Sequence, residues 1–467
     1  MKPHTIRLLC VSALLSVECR TAVGQESLMD VYERAVQNDP VIRAAEARYR
    51  ANEQVRPQAR AQLLPGLQFQ SSVSGRFSEQ PNPEVDPIEG GNVGEELGFG
   101  GFENESESTG WNLSVNQTVF DWGQVLTLKQ ADKRVAQAET EYEAAKQDLL
   151  MRVAEAYFNV LAAEDSLAAQ VVAREAIERQ LYEAQRRFEV GLTAITDVQD
   201  TQAGFDSAIA AEIGSQRRLA TEQERLRKII GEHVTDIASP DEIPLVAPDP
   251  ADPEEWVRVA LEQNLALISA RLAADIARDD ISIARSSRLP TLSFSSGYNW
   301  NENEGERRTQ LLDGSPDLVR GSLSEQQGYN WSFNLRVPLY TGGLNRSRIQ
   351  QSVYTHRAQL QEVESVARET ELATRDAYLG VQSSILQVQA LERAVESAEA
   401  ALRATEAGYE ADTRTSVDVQ TSLGQLRRAQ TDYAGARYEY ILNILNLKKA
   451  AGTLTVADAE QVDGWLE

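Results

Sequence analysis

The sequence predicts a mixed α and β protein in which long coiled-coil helices alternate with strands. Three observations predict this fold class. Apolar residues keep heptad spacing over very long stretches, four segments alternate with period two, and the pattern returns about 220 residues later. The chain has 467 residues and a formal charge of −25. A charge this negative argues against nucleic acid as a partner.

Two pairs of segments show the internal repeat most clearly. The segment "AVQNDPVIRAAEARYR", beginning at Ala35, resembles "ALEQNLALISARLAAD", beginning at Ala260. The segment "FEVGLTAITDVQD", beginning at Phe188, resembles "YEADTRTSVDVQT", beginning at Tyr409. Both members of the second pair interrupt helix-forming sequence with small hydroxyl residues and aspartates, so we expect the same turn to occur twice.

The repeat defines the expected organisation of the chain. Each repeat should run helix, strand, loop, strand, long helical hairpin, and closely spaced prolines mark the join between repeats. The predicted segments are a first repeat at 25–238 with its hairpin at 122–231, a linker at 239–253, a second repeat at 254–452 with its hairpin at 342–452, and a C-terminal tail at 453–467.

The long helices are predicted from heptad spacing. In the second repeat one seam advances in steps of three and four residues without a slip, which predicts left-handed supercoiling. It consists of Val381, Ser384, Val388, Leu391, Val395, Ala398, Leu402, Thr405 and Tyr409. The helix that carries this seam is about 67 residues long, or about 100 Å at 1.5 Å per residue. A compact globular core does not accommodate such a helix.

The strands are predicted from apolar residues at every second position. We expect them at 66–78, 110–120, 291–300 and 329–340. Segments of this length with aromatic residues near their ends fit an outer-membrane barrel, although a soluble sheet with one wet face has the same pattern. Four strands cannot close a barrel around a pore, and open edges are not tolerated in lipid. In a membrane, several copies of the chain would have to pool their strands.

Two polar connections are predicted between the strands. The segment 79–109 is rich in acidic residues, glycine, proline and serine, and the corresponding segment is 301–328. Both are expected to be solvated, mobile loops. Cation binding is the alternative role for the acidic loop, and a plain surface loop is the simpler one.

The N-terminus has the pattern of a secretory signal peptide at 1–24. Lys2 and Arg7 precede an apolar run, and small residues precede a cleavage point before Gln25. Both cysteines, Cys10 and Cys19, lie in this segment, so thiol chemistry is not expected in the mature chain. A lipid anchor on Cys19 is disfavoured because a glutamate precedes it.

An enzyme is the main alternative class, and the sequence argues against it. The histidines are His4, His233 and His356, and the sequence shows no phosphate-cradling glycine loop and no HExxH-type metal motif. We therefore expect no catalytic residues, no cofactor and no metal. A periplasmic coiled-coil adaptor or scaffold is the second alternative.

The repeats, the four strands, the breaks "VGLTAITDVQ" and "ADTRTSVDVQ", and the exit "LYTGG" after a strand together resemble the TolC family of outer-membrane ducts. The resemblance implies a homotrimer in which four strands from each protomer form one 12-stranded β-barrel, continued by a long periplasmic α-helical barrel. It implies outer-membrane lipid around the strands, a periplasmic adaptor (membrane fusion) protein, and an inner-membrane transporter of the RND or ABC type. The implied function is an exit duct for efflux or type I protein secretion.

The resemblance also implies roles for residues at the two breaks. A gate latch is implied at Tyr409, Arg414, Asp197 and Thr196, an acidic aperture ring at Asp418 and, in the other repeat, at Asp200, and hairpin tips that dock the adaptor at Gly191, Leu192, Asp412 and Thr413. The family places a second aperture aspartate at the position of Thr421, so a doubled acidic ring is in doubt.

Each of these residues also has an ordinary explanation. Asp197 and Asp418 fall in the first turn of a helix, behind Thr193 or Thr196 and behind Ser416, where acidic side chains favour the exposed N–H groups. Tyr409 continues the heptad seam and Arg414 can simply be solvated. Gly191 is a natural left-handed helix stop, which its counterpart Asp412 adopts only at some cost.

Overall fold

The computed structural model describes residues 25–81, 99–234, 236–240, 243–311, 316–411 and 413–465. The expected signal peptide at 1–24 lies outside these residues, as does Asp412. The helices are α1 Leu28–Asn38, α2 Pro40–Glu53, α3 Val55–Ala61, α4 Trp122–Glu189, α5 Ile195–Ile230, α6 Pro253–Gln263, α7 Leu265–Ser286, α8 Leu344–Glu410, α9 Ser416–Ala450 and α10 Val456–Asp463. The strands are β1 Gly66–Pro81, β2 Phe99–Phe120, β3 Thr291–Leu311 and β4 Leu318–Arg336.

The mixed α and β fold class is confirmed. Helix α4 runs for 68 residues and α8 for 67, as the heptad spacing predicts. The first three positions of the predicted seam on α8, Val381, Ser384 and Val388, are at most 4% exposed. No helix among the described residues is long and apolar enough to span a membrane.

The chain divides into two compact units. A sheet unit contains the described residues of 44–145 and 254–374, and a helical unit contains the described residues of 1–43, 146–253 and 375–467. Each unit combines residues from both predicted repeats, so the units do not follow the repeats. The division into two repeats is a statement about sequence, and it stays a prediction.

The sheet unit is built on four antiparallel strands in the order β1-β2-β3-β4. Phe69, Leu113, Tyr298 and Tyr329 lie directly opposite one another across all four strands. Since successive side chains point to opposite faces, the predicted apolar positions share one face. That face carries the ring contacts Phe69–Trp111 (6.2 Å), Trp111–Tyr298 (5.3 Å) and Phe294–Phe333 (4.9 Å between centroids).

The strands differ from their predicted ends in two ways. At one end β2 begins at Phe99 rather than residue 110, and β3 extends to Leu311 rather than residue 300. The expected loops are therefore wrong at 79–81 and 99–109 and over most of 301–328, where the structure has strands. Residues 82–98 lie outside the described residues. At the other end β4 stops at Arg336 rather than residue 340. Pro338 explains this end, because proline has no N–H to donate to a strand ladder.

Glutamates explain why the longer strands were missed. The register places glutamate opposite glutamate in four pairs: Glu79 and Glu103, Glu105 and Glu306, Glu107 and Glu304, Glu302 and Glu325. A favourable cross-strand pair stabilises strand pairing by roughly 0.2–1 kcal/mol, whereas like charges directly opposite each other destabilise it. The backbone ladder forms in spite of them, so apolar periodicity gives no signal in this half of the sheet.

The helical unit holds the predicted linker against its helices with side-chain hydrogen bonds. The hydroxyl of Tyr440 lies 2.6 Å from the backbone N of Val246, Tyr378 donates to the carbonyl of Ala251 (2.5 Å), and Arg437 donates to the carbonyl of Pro240 (3.0 Å). In the same unit α10, from the C-terminal tail, packs on α1. Linker and tail are therefore bound to the helices rather than free.

Candidate functional site at the two helical breaks

The first break joins α4 to α5 through a glycine in the left-handed conformation. Gly191 has a φ of 76°, which confirms the predicted helix stop. Its N–H donates to the carbonyl of Phe188 (2.9 Å), and the N–H of Leu192 donates to the carbonyl of Arg187 (2.8 Å). These bonds use carbonyls that the end of a helix leaves free. The side chains of Val190 and Leu192 remain 70% and 71% exposed.

The second break joins α8 to α9 and closes on one carbonyl. The carbonyl of Gly408 accepts from the backbone N–H of Thr413 (2.8 Å), the hydroxyl of Thr413 (2.9 Å) and the backbone N–H of Arg414 (3.2 Å). Asp412 lies outside the described residues, so the expected strain at this position stays a prediction. A Cβ atom on Gly408 would lie 2.7 Å from Cγ of Arg414, so Arg414 packs against a glycine surface.

Asp418 is part of a capping box at the start of α9. Its Oδ2 atom accepts from the backbone N of Thr415 (2.9 Å) and from the hydroxyl of Thr415 (3.0 Å), and its own N–H donates to Thr415 Oγ1 (3.2 Å). The hydrogen bonds from the backbone and hydroxyl of Thr415 lower the pKa of Asp418, and the charge of Arg414 lowers it further. The expectation that Ser416 precedes and caps this turn is wrong. Ser416 is 5% exposed, and its hydroxyl has no partner among the described residues.

Replacing Thr415 with alanine should destabilise the start of α9. An N-cap threonine typically contributes about 0.5–2 kcal/mol. The variant also removes the hydroxyl that donates to the Asp418 carboxylate, which keeps only the backbone N–H of residue 415. Because the pKa of Asp418 is lowered in the fold, the contribution of its carboxylate is fully present above the unfolded pKa and is lost as pH falls through the folded pKa. Hydrogen exchange of the first α9 amides should be faster in Thr415→Ala at neutral pH. The same change in Thr413→Ala, which is not the cap, would contradict this role.

At the start of α5 the corresponding aspartate is held differently. The N-cap Ala194 offers no side-chain bond, and the Asp197 carboxylate instead accepts from the Thr193 hydroxyl. This agrees with the ordinary explanation that places Asp197 behind Thr193. Thr196 and Asp200 are exposed.

A residue outside the implied latch makes a contact with Tyr409. The guanidinium of Arg187 lies over the ring of Tyr409, with 5.4 Å from Cζ to the ring centroid. Within the described residues, no hydrogen bond or ion pair joins Tyr409 or Arg414 to Thr196 or Asp197. At the position of the family's second aperture aspartate, the Thr421 hydroxyl donates to the carbonyl of Val417 (2.8 Å).

Helices α5 and α9 meet just behind the breaks. A Cβ on Gly204 of α5 would lie 2.4 Å from Oε1 of Gln420, so these helices cross closely at a glycine. Thr201 and Val419 beside this crossing are 0% and 1% exposed. The crossing therefore fixes α5 against α9 close to the first turns of the two helices, in which Asp197 and Asp418 lie.

Sequence reasoning missed Arg187, Gly408 and Thr415. The internal repeat could have pointed to the first two, because Arg187 and Gly408 occupy matching positions immediately before Phe188 and Tyr409. The described residues contain no group of three or more His, Cys, Asp or Glu side chains arranged to hold a metal ion. The chemistry available at the breaks is therefore that of hydrogen bonds, charges and a ring contact.

Comparison with known proteins identifies the class. The family model of the outer membrane efflux proteins matches residues 31–232 and 256–453. Outer membrane protein TolC of Vibrio cholerae is 34% identical over 98% of this chain and 98% of its own length. Alkaline protease secretion protein AprF of Pseudomonas aeruginosa is 27% identical over 93% of this chain and 86% of its own length.

Solved structures agree in fold. A crystal structure of CusC superimposes with a TM-score of 0.69 at 17% identity and covers 92% of each chain. The chain belongs to the outer membrane efflux protein family and is an outer-membrane protein. Its relatives are outer-membrane ducts rather than enzymes, and the family match does not support the alternative of a coiled-coil adaptor or scaffold.

Proposed function

We propose that the chain is a passive exit duct that works as a homotrimer, with four strands from each copy completing a 12-stranded barrel in outer-membrane lipid. The observation that carries this proposal is the sheet. Its apolar face leaves Phe69 65%, Trp331 65% and Phe333 60% exposed in the single chain, and β1 and β4 are open edges. Large exposed apolar patches mark lipid or protein contacts, and open edges do not occur in lipid.

The duct receives its cargo from an inner-membrane transporter of the RND or ABC type through a periplasmic adaptor. The exposed apolar residues of the first break, Val190, Leu192 and Ile195, supply an adaptor-docking surface beside Gly191, and Thr413 belongs to the second tip. The names of the relatives include both an efflux family and a protease secretion protein, so both kinds of cargo suit this duct.

The periplasmic entrance is gated at the two breaks. Tyr409 and Arg414 on one hairpin and Thr196 and Asp197 on the other form the latch, with contacts that complete between neighbouring copies. Asp418 narrows the aperture, and Asp200 adds a second carboxylate. Exposed contacts of this kind contribute only about 0–1 kcal/mol each, which suits a gate that an adaptor and pump must open.

The double variant Tyr409→Phe and Arg414→Glu is expected to raise single-channel conductance in planar bilayers. The first change removes a hydroxyl and the second reverses a charge, so the closed state loses contacts of about 0–1 kcal/mol each. A total loss of about 0.4–1.4 kcal/mol, within the range of two such contacts, should raise the mean conductance by about two- to ten-fold. The wild-type protein should form a low-conductance channel and migrate as a heat-sensitive trimer in detergent.

A matched control is available on α4. Tyr182 and Arg186 are also a tyrosine and an arginine close in sequence, with 5.2 Å from guanidinium carbon to ring centroid, on an exposed surface. The pair Tyr182→Phe and Arg186→Glu makes the same chemical changes there and should leave conductance unchanged. Equal conductance in wild type, gate variant and control would reject the gate. A wild-type protein that forms neither trimer nor channel would reject the duct itself.

A further inference from the structure

One side chain connects the two breaks inside a single protomer. Arg187 lies on the last turns of α4 and places its guanidinium over the ring of Tyr409, near the end of α8, at 5.4 Å from the centroid. A guanidinium within about 6 Å of a ring centroid is attracted to the ring face. Tyr409 is half-buried at this contact, whereas the side chain of the neighbouring Arg186 is 62% exposed.

Arg187 is fixed by the first break. Its carbonyl accepts from the N–H of Leu192 (2.8 Å), which is one of the two bonds that close the turn at Gly191. The backbone of the first break and the side-chain contact to α8 therefore meet at one residue. A movement that opens the turn at Gly191 also shifts the guanidinium that covers Tyr409.

Gly408 completes the arrangement on the other side of Tyr409. Gly408 has no Cβ, so the aliphatic part of the Arg414 side chain can pass close to its backbone. A Cβ atom on residue 408 would lie 2.7 Å from Cγ of Arg414 and would block this approach. The carbonyl of Gly408 also accepts from the N–H groups of Thr413 and Arg414. Tyr409 and Arg414 are thus positioned by neighbours at matching positions of the two repeats, Arg187 and Gly408.

We infer that Arg187 is a positioning residue of the gate, which holds the Tyr409 ring against α4 and so sets the closed arrangement before any contact between protomers forms. This inference rests on the proposed gate. It differs from the family-implied latch, because it assigns a role to the ring of Tyr409 and to a residue outside the latch. Loss of the ring contact should release the second break even in a chain that retains the Tyr409 hydroxyl.

The first experiment compares two adjacent arginines. Arg187→Gln and Arg186→Gln remove the same charge one residue apart, but only the first removes the contact to Tyr409. In planar bilayers Arg187→Gln should raise the open fraction of the channel by about two- to five-fold, the factor expected for one exposed cation–π contact. Arg186→Gln should match wild type, and Arg187→Lys should restore part of the closed state.

A double-mutant cycle separates ring from hydroxyl. Tyr409→Phe keeps a ring under Arg187, whereas Tyr409→Leu removes it. Arg187→Gln should therefore act in the Tyr409→Phe background and have no effect in the Tyr409→Leu background. An equal effect of Arg187→Gln in both backgrounds would overturn the inference while leaving the duct and its latch standing.

A second measurement does not require a conducting channel. Hydrogen exchange should show faster exchange of the amides of Ala411 and Thr413, at the end of α8, in Arg187→Gln than in Arg186→Gln, again by about two- to five-fold. Equal exchange in the two variants would overturn the inference whatever the bilayer result. Faster exchange without any wild-type channel would support the contact and reject the proposed duct.

Discussion

Replacing Asp39 with alanine is expected to lower the free energy of unfolding of the helical unit by about 3 kcal/mol, as for a buried ion pair that loses one partner. Asp39 lies between α1 and α2 and is 2% exposed. Its carboxylate accepts from Nη2 of Arg152 on α4 (2.6 Å) and from the backbone N of Ile42 (3.3 Å). Alanine leaves Arg152 without its partner. The figure is at the low end because a third of the Arg152 side chain still reaches water.

Denaturation of the detergent-solubilised protein, followed by far-ultraviolet circular dichroism, measures this loss. Glu46→Ala is the matched control, because Glu46 makes a 2.7 Å ion pair with Arg50 in which both side chains are well exposed. The control should change the free energy of unfolding much less, because water screens an exposed pair. Equal losses in the two variants would mean that burial does not strengthen the Asp39 pair.

The same pair predicts a pH dependence. Burial by itself would raise the pKa of Asp39, but the hydrogen bond and charge of Arg152 outweigh it and hold the pKa below the usual value. A lowered folded pKa means that the pair stabilises fully above the unfolded pKa and loses its contribution as pH falls through the folded pKa. The stability difference between wild type and Asp39→Ala should therefore be constant near neutral pH and shrink below about pH 4. A difference that grows on acidification would contradict this sign.

Tyr157→Ala is expected to have the largest effect on the helical unit, a loss of about 3–5 kcal/mol as for other large aromatic residues truncated in a core. Tyr157 is 0% exposed and its ring packs edge-to-face with the ring of Phe158, with 5.5 Å between the centroids. Its hydroxyl donates to the carbonyl of Ala238 (2.7 Å) and lies 3.1 Å from the carbonyl of Glu26. Burial raises the pKa of this hydroxyl, so it remains a donor at every physiological pH.

Tyr157→Phe separates the ring from the hydroxyl. It keeps the packed ring and leaves the carbonyls of Glu26 and Ala238 without this donor, so the expected loss is about 1–3 kcal/mol. The difference between the two variants in the same denaturation experiment measures the packing of the ring. Similar losses for Tyr157→Ala and Tyr157→Phe would show that the hydroxyl, rather than the ring, holds the strand-like pairing of Glu26 with Ile237.

The sequence predicts the helices well because their signal is long. A seam such as that from Val381 to Tyr409 repeats often enough that only a coiled coil fits it. The strand ends are not predictable in the same way. The apolar signal stops near Trp111 and Trp300, whereas the ladders continue through glutamate pairs that local pairing rules disfavour. Backbone pairing with the neighbouring strands holds those glutamates in register, and that information is not local.

The candidate site was predictable in position but not in its contacts. Matching segments of the two repeats located both breaks, and Gly191 indicated a left-handed turn. The cap of α9 was placed one residue late, because Thr415 and Ser416 are both good N-caps and only the backbone decides between them. The contact of Arg187 with Tyr409 joins residues from different helices, and no spacing within one helix predicts such a pair.

The two open edges of the sheet have a consequence for biogenesis. Strands β1 and β4 each present a row of backbone N–H and C=O groups that none of the described strands of the same chain satisfies. In the proposed trimer these groups form their hydrogen bonds only once the neighbouring copies have arrived, so a single folded copy would be an assembly intermediate with exposed strand edges. Insertion and assembly become one event, so the yield of native protein should depend on how many copies reach the membrane together, and a lone late copy has no stable place in the lipid.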